Sequence, residues 1–334
     1  MFDDAVILVT GGTGSWGNEL ITQLLDNHSP KEIRVYSRGE HMQVKMRAKF
    51  YNNKNLKFII GDVRDKNILG LAMTGVDYVF HLAALKHVPV CEENTWETVL
   101  TNIYGTQNVI ECAISNNVKK VIDISTDKAV DPFNYYGVSK ACAEKMIVNA
   151  SFNYQTDTKF VCIRGGNVLG TNGSVIPLFK SQILSNNYVT ITDPNMTRYL
   201  MSKKEAIGLV FEAVEKSIGG EIFVMRMPAT SVKNMADALV ILFGNDKTNL
   251  KVIGARPGEK IDEVLVSKNE SPFTKILDEK YFVILPQQDN PELLDRYDDY
   301  PNIDTESFDS RNTRQLSVND LVLELEKEKW LMGS

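Results

Sequence analysis

The sequence predicts an α/β protein: a Rossmann-like, doubly wound parallel sheet with a smaller α+β C-terminal lobe. Three observations lead there. Short β-branched runs alternate with helical stretches through the first 165 residues. A glycine-rich stretch, Thr10-Gly11-Gly12-Thr13-Gly14-Ser15-Trp16-Gly17, follows the first of those runs. After about residue 165 the alternation stops and loop signals such as Gly165-Gly166-Asn167 and Asp193-Pro194-Asn195 set in. Strands that alternate with helices form right-handed βαβ units, and a parallel sheet covered on both faces reads as continuous apolar runs.

The elements follow in order. Residues 5–10 (AVILVT) are the first strand, and a helix runs from about Trp16 to Asn27. Strands two to six are read at 32–37, 56–61, 76–82, 121–125 and 159–164, each a short run rich in Val, Ile, Phe or Tyr. Helices fit between them near 97–115 and 138–152. The second lobe carries helical patterns near 174–186, 203–217 and 231–243 and a short strand at 221–225. The acidic stretch 285–303 is read as an exposed loop, and a last helix spans about 317–330. The division is residues 1–165 for the sheet domain and 166–334 for the second lobe, with some later segments returning to the first.

At 334 residues the chain has room for such a pair of units. Hydrophobic residues at 43% and charged residues at 24% are globular values and exclude a wholly disordered or fibrous chain. A net charge of −6 makes a poor general binder of nucleic acid or anionic membrane. Cys91, Cys112, Cys142 and Cys162 form no CxxC pair and no cluster with the four histidines, so reduced thiols, a cytoplasmic setting and no metal site are expected. No signal peptide is read, and no apolar run approaches the about 18 residues of a membrane span.

The glycine stretch sits where a strand turns into a helix. Glycines at 11, 14 and 17 permit a tight turn, close approach of a pyrophosphate and close helix packing, with the positive helix end beneath the phosphates. Thr10, Gly11, Thr13, Gly14, Ser15, Trp16 and Gly17 are therefore candidates for holding a dinucleotide. At the end of the second strand, where an acid would bond a ribose 2′-hydroxyl, the chain has Ser37-Arg38. A hydroxyl and a guanidinium suit a 2′-phosphate, which favours NADP over NAD. Asp62-Val63 after the third strand are placed for the adenine, and Ala83-Ala84 after the fourth are small enough to let the cofactor pass.

The fifth strand leads into Ser125-Thr126-Asp127-Lys128, and Tyr136-Gly137-Val138-Ser139-Lys140 opens the next helix. One helical turn separates Tyr136 from Lys140, so they share a face. A cation beside a phenol favours the phenolate, so Tyr136 is expected to act as a base near neutral pH, with Lys140 also holding the nicotinamide ribose.

With these residues the chain resembles the extended short-chain dehydrogenase/reductases that act on nucleotide sugars, and among them the configuration-inverting UDP-N-acetylglucosamine 4,6-dehydratases. The likeness covers most of the chain. Beyond the segments above it rests on 61–65 (GDVRD), 83–89 (AALKHVP), 173–177 (GSVIP), Ile191-Thr192-Asp193 with Met196-Thr197-Arg198, and Arg256 with Gly258-Glu259-Lys260. Ser125 to Lys128 is its most specific part. Sugar 4-epimerases of the group lack an Asp-Lys pair there, and dehydratases of glucose nucleotides typically carry Asp-Glu.

The resemblance implies NADP-dependent 4,6-dehydration of UDP-N-acetylglucosamine with C5 epimerisation, giving UDP-2-acetamido-2,6-dideoxy-L-arabino-hex-4-ulose. Tyr136, assisted by Thr126, takes the O4 proton as hydride leaves C4. Lys128 is the base at C5 and Asp127 the acid at O6, and for Lys128 to be neutral, burial or neighbouring cations must lower its pKa. Lys86, Asn167, Val175, Pro177, Thr192, Arg198, Arg256 and Glu259 are the implied contacts to the sugar nucleotide, and a homo-oligomer is implied as well. One departure stands out: relatives read Arg-Tyr-Gly-Asn where this chain reads Arg164-Gly165-Gly166-Asn167. Alternatives on the same scaffold are a C5-retaining dehydratase, a nucleotide-sugar 4-epimerase and a non-catalytic NADP-binding regulator.

Overall fold

A computed structural model describes residues 1–51, 53–171, 174–255, 258–288 and 290–327. The first half builds six strands, β1 (Val6–Thr10), β2 (Glu32–Ser37), β3 (Leu56–Ile60), β4 (Tyr78–His81), β5 (Lys120–Thr126) and β6 (Lys159–Gly165). All pair in parallel, in the spatial order β3-β2-β1-β4-β5-β6. The order reverses between β1 and β4, and a crevice opens there at the strand C-termini, where such sheets take ligands. Their apolar side chains, Ile7, Val9, Val35, Val79, Phe80, Val121, Phe160 and Ile163 among them, are fully buried.

The second half adds β7 (Asn167–Val168), β8 (Tyr188–Ile191), β9 (Thr197–Met201), β10 (Ile222–Met225), β11 (Ala229–Ser231), β12 (Asn249–Val252), β13 (Val264–Val266), β14 (Thr274–Ile276), β15 (Tyr281–Ile284) and β16 (Phe308–Asp309). Of these, β10 joins β6 in parallel, and β15 and β14 extend the edge antiparallel, making nine strands. A second apolar cluster, built on Phe179, Ile183, Val189, Met235, Leu239 and Leu321, forms the smaller lobe.

Two helices position the site. Helix α1 (Ser15–Asn27) follows the glycine stretch. Helix α2 (Tyr135–Asn153) starts at an Asn134 cap whose Oδ1 accepts from Gly137 N at 2.8 Å. A Cβ on Gly137 would lie 2.2 Å from the Lys128 carbonyl oxygen, so only glycine lets α2 pack this close to the turn after β5. The stretch read as a loop over 285–303 instead contains helix α3 (Pro291–Tyr297). Asn290 caps it, proline at its first position costs no hydrogen bond, and Leu293 and Tyr297 are buried. The proline there starts a helix rather than marking a loop. Among the described residues no helix is long and apolar enough to cross a membrane.

Candidate active site

A cavity of about 640 Å³ lies along the strand C-termini. Gly11, Thr13, Gly14, Ser15, Trp16 and Gly17 form its floor at the positive end of α1. Gly11 has φ +65°, and a Cβ on it would stand 2.8 Å from the Ala83 nitrogen, so the β1 turn and the β4 loop leave no room for a side chain. Thr10 lies outside this lining: it is fully buried, with its hydroxyl 2.8 Å from His81 Nδ1. That position makes it a support for the loop rather than a contact surface.

Ser37, Arg38, Asp62 and Val63 line one end of the cavity, and Ala83, Ala84 and Lys86 line its side. The Ser37 hydroxyl accepts from Gln43 Nε2 at 3.0 Å, and the half-exposed Arg38 guanidinium stands 3.7 Å from Asp62 Oδ2. Burial alone would raise the Asp62 carboxyl, but hydrogen bonds from Arg64 and the charges of Arg64 and Arg38 pull it below its ordinary range. The loop bearing Lys86 is fastened by Asn102, whose amide exchanges bonds of 2.8 and 2.9 Å with the Leu85 backbone and donates to Ser139 Oγ at 2.9 Å. Burial lowers the Lys86 amine.

At the opposite end stand Thr126, Lys128, Tyr136 and Lys140. Lys140 Nζ is ion-paired with Asp123 at 3.1 Å, and both side chains are buried. Burial works against the Lys140 charge, yet the Asp123 carboxylate and Tyr136 outweigh it and raise its pKa. For Tyr136 burial is the largest influence and raises the phenol pKa; the Lys140 and Lys128 cations and a Thr126 hydrogen bond oppose it without prevailing. The lowering expected from the neighbouring cations is present, but burial outweighs it in the free protein.

The Asp127-Lys128 couple is tighter than its sequence suggests. Lys128 Nζ lies 3.0 Å from Asp127 Oδ1 and 3.5 Å from Glu263 Oε1, and Arg198 Nε lies 3.7 Å from the same Glu263 oxygen. Burial would lower the Lys128 pKa, but the two carboxylates outweigh it and raise it above the ordinary lysine range. The expected lowering is thus also corrected: flanking carboxylates, not cations, set this amine, and at rest it is an ammonium. Asp127 is 1% exposed and lies behind the wall that Thr126 and Lys128 present. Among the described residues Asp127 Oδ2 and Glu263 Oε2 are buried without a hydrogen-bond partner.

A smaller cavity of about 150 Å³ adjoins the first across Lys128 and Asn167, lined also by Arg198, Glu259, Lys260 and Glu263. Arg198 donates to the carbonyls of Thr197 and Lys260 at 2.8 and 3.0 Å. Asn134 Nδ2 donates to Gly258 O at 2.9 Å and ties the start of α2 to this segment. Val175 and Pro177 lie in the helix over 175–186, and Thr192 donates to Met196 Sδ at 3.2 Å; none of the three lines either cavity. Arg256 lies outside the described residues. Glu263 and Asp123 were missed in the sequence, although a charged residue inside the apolar run of β5 is itself a sign of a buried partner.

A family described as polysaccharide biosynthesis protein matches residues 7–285. The chain belongs to that family. Among its relatives, a UDP-glucose 4-epimerase of Rickettsia bellii is 44% identical over 332 residues, covering 96% of this chain and 97% of its own. A UDP-N-acetylglucosamine 4,6-dehydratase (inverting) of Campylobacter jejuni is 41% identical over 304 residues, covering 90% and 87%. The crystal structure of Pen from Bacillus thuringiensis has a TM-score of 0.90 at 36% identity and covers 98% of this chain and 99% of its own. A dTDP-glucose 4,6-dehydratase of Streptomyces venezuelae, solved with NAD, has a TM-score of 0.70 at 24% identity over 77% of this chain and 86% of its own, a likeness of fold. The resemblance to the inverting dehydratases read from the sequence motifs stands, within a family whose named members include 4-epimerases.

Proposed function

We propose that the chain is an NADP-dependent 4,6-dehydratase of UDP-N-acetylglucosamine that inverts C5. One observation carries the dehydratase reading: the Asp127-Lys128 couple, with its carboxylate buried, its amine facing the cavity and Glu263 beside it, stands next to Tyr136 and Lys140. Removing and restoring hydrogen at C4 needs only a Tyr/Lys pair. Expelling the 6-hydroxyl needs a second acid and base, and a carboxyl and an amine in contact at the cavity wall can supply both.

The residues divide the work. The glycine floor and the positive end of α1 would hold the cofactor's pyrophosphate, and Ser37 and Arg38 its 2′-phosphate. Oxidised nicotinamide, when bound, supplies a two-electron acceptor for hydride. Tyr136 with Thr126 moves the proton at O4. The Asp127-Lys128 couple supplies the acid at O6 and the base at C5, with Lys128 as its cavity-facing member. Asn167, Arg198 and Glu259 line the adjoining space for the sugar nucleotide.

A second reading, a 4-epimerase, is favoured by the names of the Rickettsia relatives. Incubation with UDP-N-acetylglucosamine separates the two. The dehydratase yields a product lighter by about 18 daltons, one water, and in D₂O a C6 methyl signal with deuterium at C5; the L-arabino ketone marks inversion and the D-xylo ketone retention. Lys128→Ala abolishes the methyl signal while NADP binding survives. A product of unchanged mass with only C4 inverted sinks the dehydratase reading.

A further inference from the structure

Arg164 lies near the end of β6 with its side chain 1% exposed, and every donor of its guanidinium is used. Nε and Nη2 donate to the two oxygens of Glu144, Nε at 3.2 Å. Nη1 and Nη2 donate to the two oxygens of Glu270 at 3.1 and 2.9 Å. Nη1 also donates to the Leu265 carbonyl at 2.7 Å. One rigid, planar fork therefore joins β6 to α2 on one side and to the second lobe on the other.

The segments it joins carry the site. Tyr136, Lys140 and Glu144 follow one another at one-turn spacing in α2, so they share a face, and all three are buried. Glu144 Oε2 also accepts from Ser125 Oγ at 2.7 Å. Ser125 pairs with Arg164 in the register of β5 and β6 and is the residue before Thr126. On the second-lobe side, Leu265 lies in β13, two residues after Glu263, whose Oε1 stands 3.5 Å from Lys128 Nζ. Glu270 Oε2 accepts from the Ser267 N–H at 3.0 Å and from its hydroxyl at 2.9 Å, which turns the chain after β13 back onto the guanidinium.

We propose that Arg164 is a positioning residue of the site: through Glu144 and Glu270 it fixes the α2 face that carries Tyr136 and Lys140 against the strand that brings Glu263 to Lys128. Arg164 lines neither cavity, so it acts only through the groups it holds. Asp127 meets Lys128 as its sequence neighbour and needs no tether. Glu263 arrives from the other lobe, and the Leu265 and Glu270 contacts fix where its strand lies. A lysine at position 164 would keep the charge but lose the fork that spans both carboxylates. The placing of Glu263 is a matter of geometry alone. Its consequence for turnover rests on the reaction proposed above, in which Lys128 is the base at C5.

The test couples touching carboxylates and amines with a carbodiimide in full-length wild type, Arg164→Lys and Glu270→Ala, each held well below its unfolding temperature. Peptide mass mapping reads the Lys128–Glu263 link against Lys66–Glu111, an ion pair of the sheet domain that shares no hydrogen bond with Arg164. The Lys128–Glu263 link falls at least about threefold in both variants while the reference link holds, as loss of a charge-assisted contact requires. With UDP-N-acetylglucosamine, kcat falls about tenfold and KM stays within about threefold, the signature of a misplaced group rather than a lost binding contact. In a Glu263→Gln background Glu270→Ala costs less than about twofold more, because the strand then has no carboxylate to deliver. A substrate that loses no water defeats the dehydratase reading, and the cross-link still decides the role of Arg164. If Arg164→Lys does not fold, Glu270→Ala decides it alone. An unchanged Lys128–Glu263 link in folded Glu270→Ala, or an equal loss of kcat with and without the Glu263 carboxylate, overturns the proposal.

Discussion

Glu263 Oε1 stands 3.5 Å from Lys128 Nζ, a second carboxylate on the amine beside its sequence neighbour Asp127 at 3.0 Å. Glu263 is held from the second lobe by Ser310: its backbone N–H donates to Ser310 Oγ at 2.9 Å, and its carbonyl accepts from the Ser310 N–H at 2.8 Å. An amine bracketed by two buried carboxylates keeps its proton. In Glu263→Gln one bracket loses its charge, and Lys128 should react with an amine-directed reagent at a pH about one unit or more below that of wild type. Peptide mass mapping of Lys128 across a pH series reads this without substrate or cofactor. Equal reactivity in the two proteins would mean that Glu263 does not govern the amine.

Arg38 stands at the cavity end with its guanidinium half exposed and its acidic neighbour, Asp62, already bonded by Arg64 at 2.6 Å. A guanidinium so placed is available to a 2′-phosphate. Arg38→Ala should weaken NADP binding by about 10- to 100-fold and NAD binding by less than about threefold, the loss of a charge-assisted contact that only NADP makes. Calorimetric titration of both dinucleotides measures the split. An equal loss for both would assign Arg38 to general support of the loop.

Gly165 ends β6 with the Trp16 ring edge over it: a Cβ there would lie 3.5 Å from Trp16 Cη2 and 3.5 Å from Met201 Sδ. Gly165 and Trp16 both line the main cavity, so the aromatic ring at this wall comes from the glycine stretch, where the resemblance implied one at position 165. A methyl group fits at ordinary contact, and Gly165→Ala should be neutral or stabilise by up to about 0.5 kcal/mol. Gly165→Tyr should cost about 1–3 kcal/mol by overpacking, and Trp16→Ala in the same chain should recover part of that. Urea unfolding of the three variants checks the cycle; full additivity would separate the two sites.

The sheet was legible because its strands are buried on both faces. β1 and β6 carry unbroken apolar runs, VILV and FVCI, and their bounds fall within one residue of those read from sequence. The parts of the site carried by consecutive residues were legible for the same reason of locality: Gly11 to Gly17, Thr126 to Lys128, and Tyr136 with Lys140 one turn on. What the sequence hid was contact between distant segments. Glu263 and Asp123 matter through the amines they face, and no local spacing pairs them with Lys128 or Lys140. The balance of influences on Tyr136 and Lys128 in the free protein was misjudged for that reason, since burial dominates one and a distant carboxylate helps set the other. Helix α3 was missed on a local ambiguity, as Pro291 suits a loop or a first helical position equally well.

His81 gives the fold an acid sensitivity with a defined window. Its ring is 2% exposed at the end of β4, between Thr10 Oγ1 at 2.8 Å and Thr106 Oγ1 at 3.2 Å. Burial is the main reason its pKa falls from 6.5 to about 4, against the pull of Asp123 and with help from Lys140. Between those values the unfolded chain binds a proton that the folded one refuses, so acidification removes stability, on the order of 3 kcal/mol by pH 4. Other buried acids overlap this window in opposite senses. Glu221 and Glu263, both raised chiefly by burial, favour the folded state as pH falls toward their unfolded values. Glu270 is pulled down to about 2, because the Arg164 charge and hydrogen bonds outweigh burial, and it costs stability only below pH 4.5. The wild-type curve alone therefore mixes three effects. His81→Gln keeps a donor and an acceptor between the two threonines but cannot titrate. Urea unfolding at pH 7, 5.5 and 4.5 should show the wild type losing about 2 kcal/mol or more relative to the variant, most of it before Glu270 contributes. Parallel curves would mean that the ring takes up its proton in the folded state at an ordinary pH, and that burial at the end of β4 does not hold it neutral.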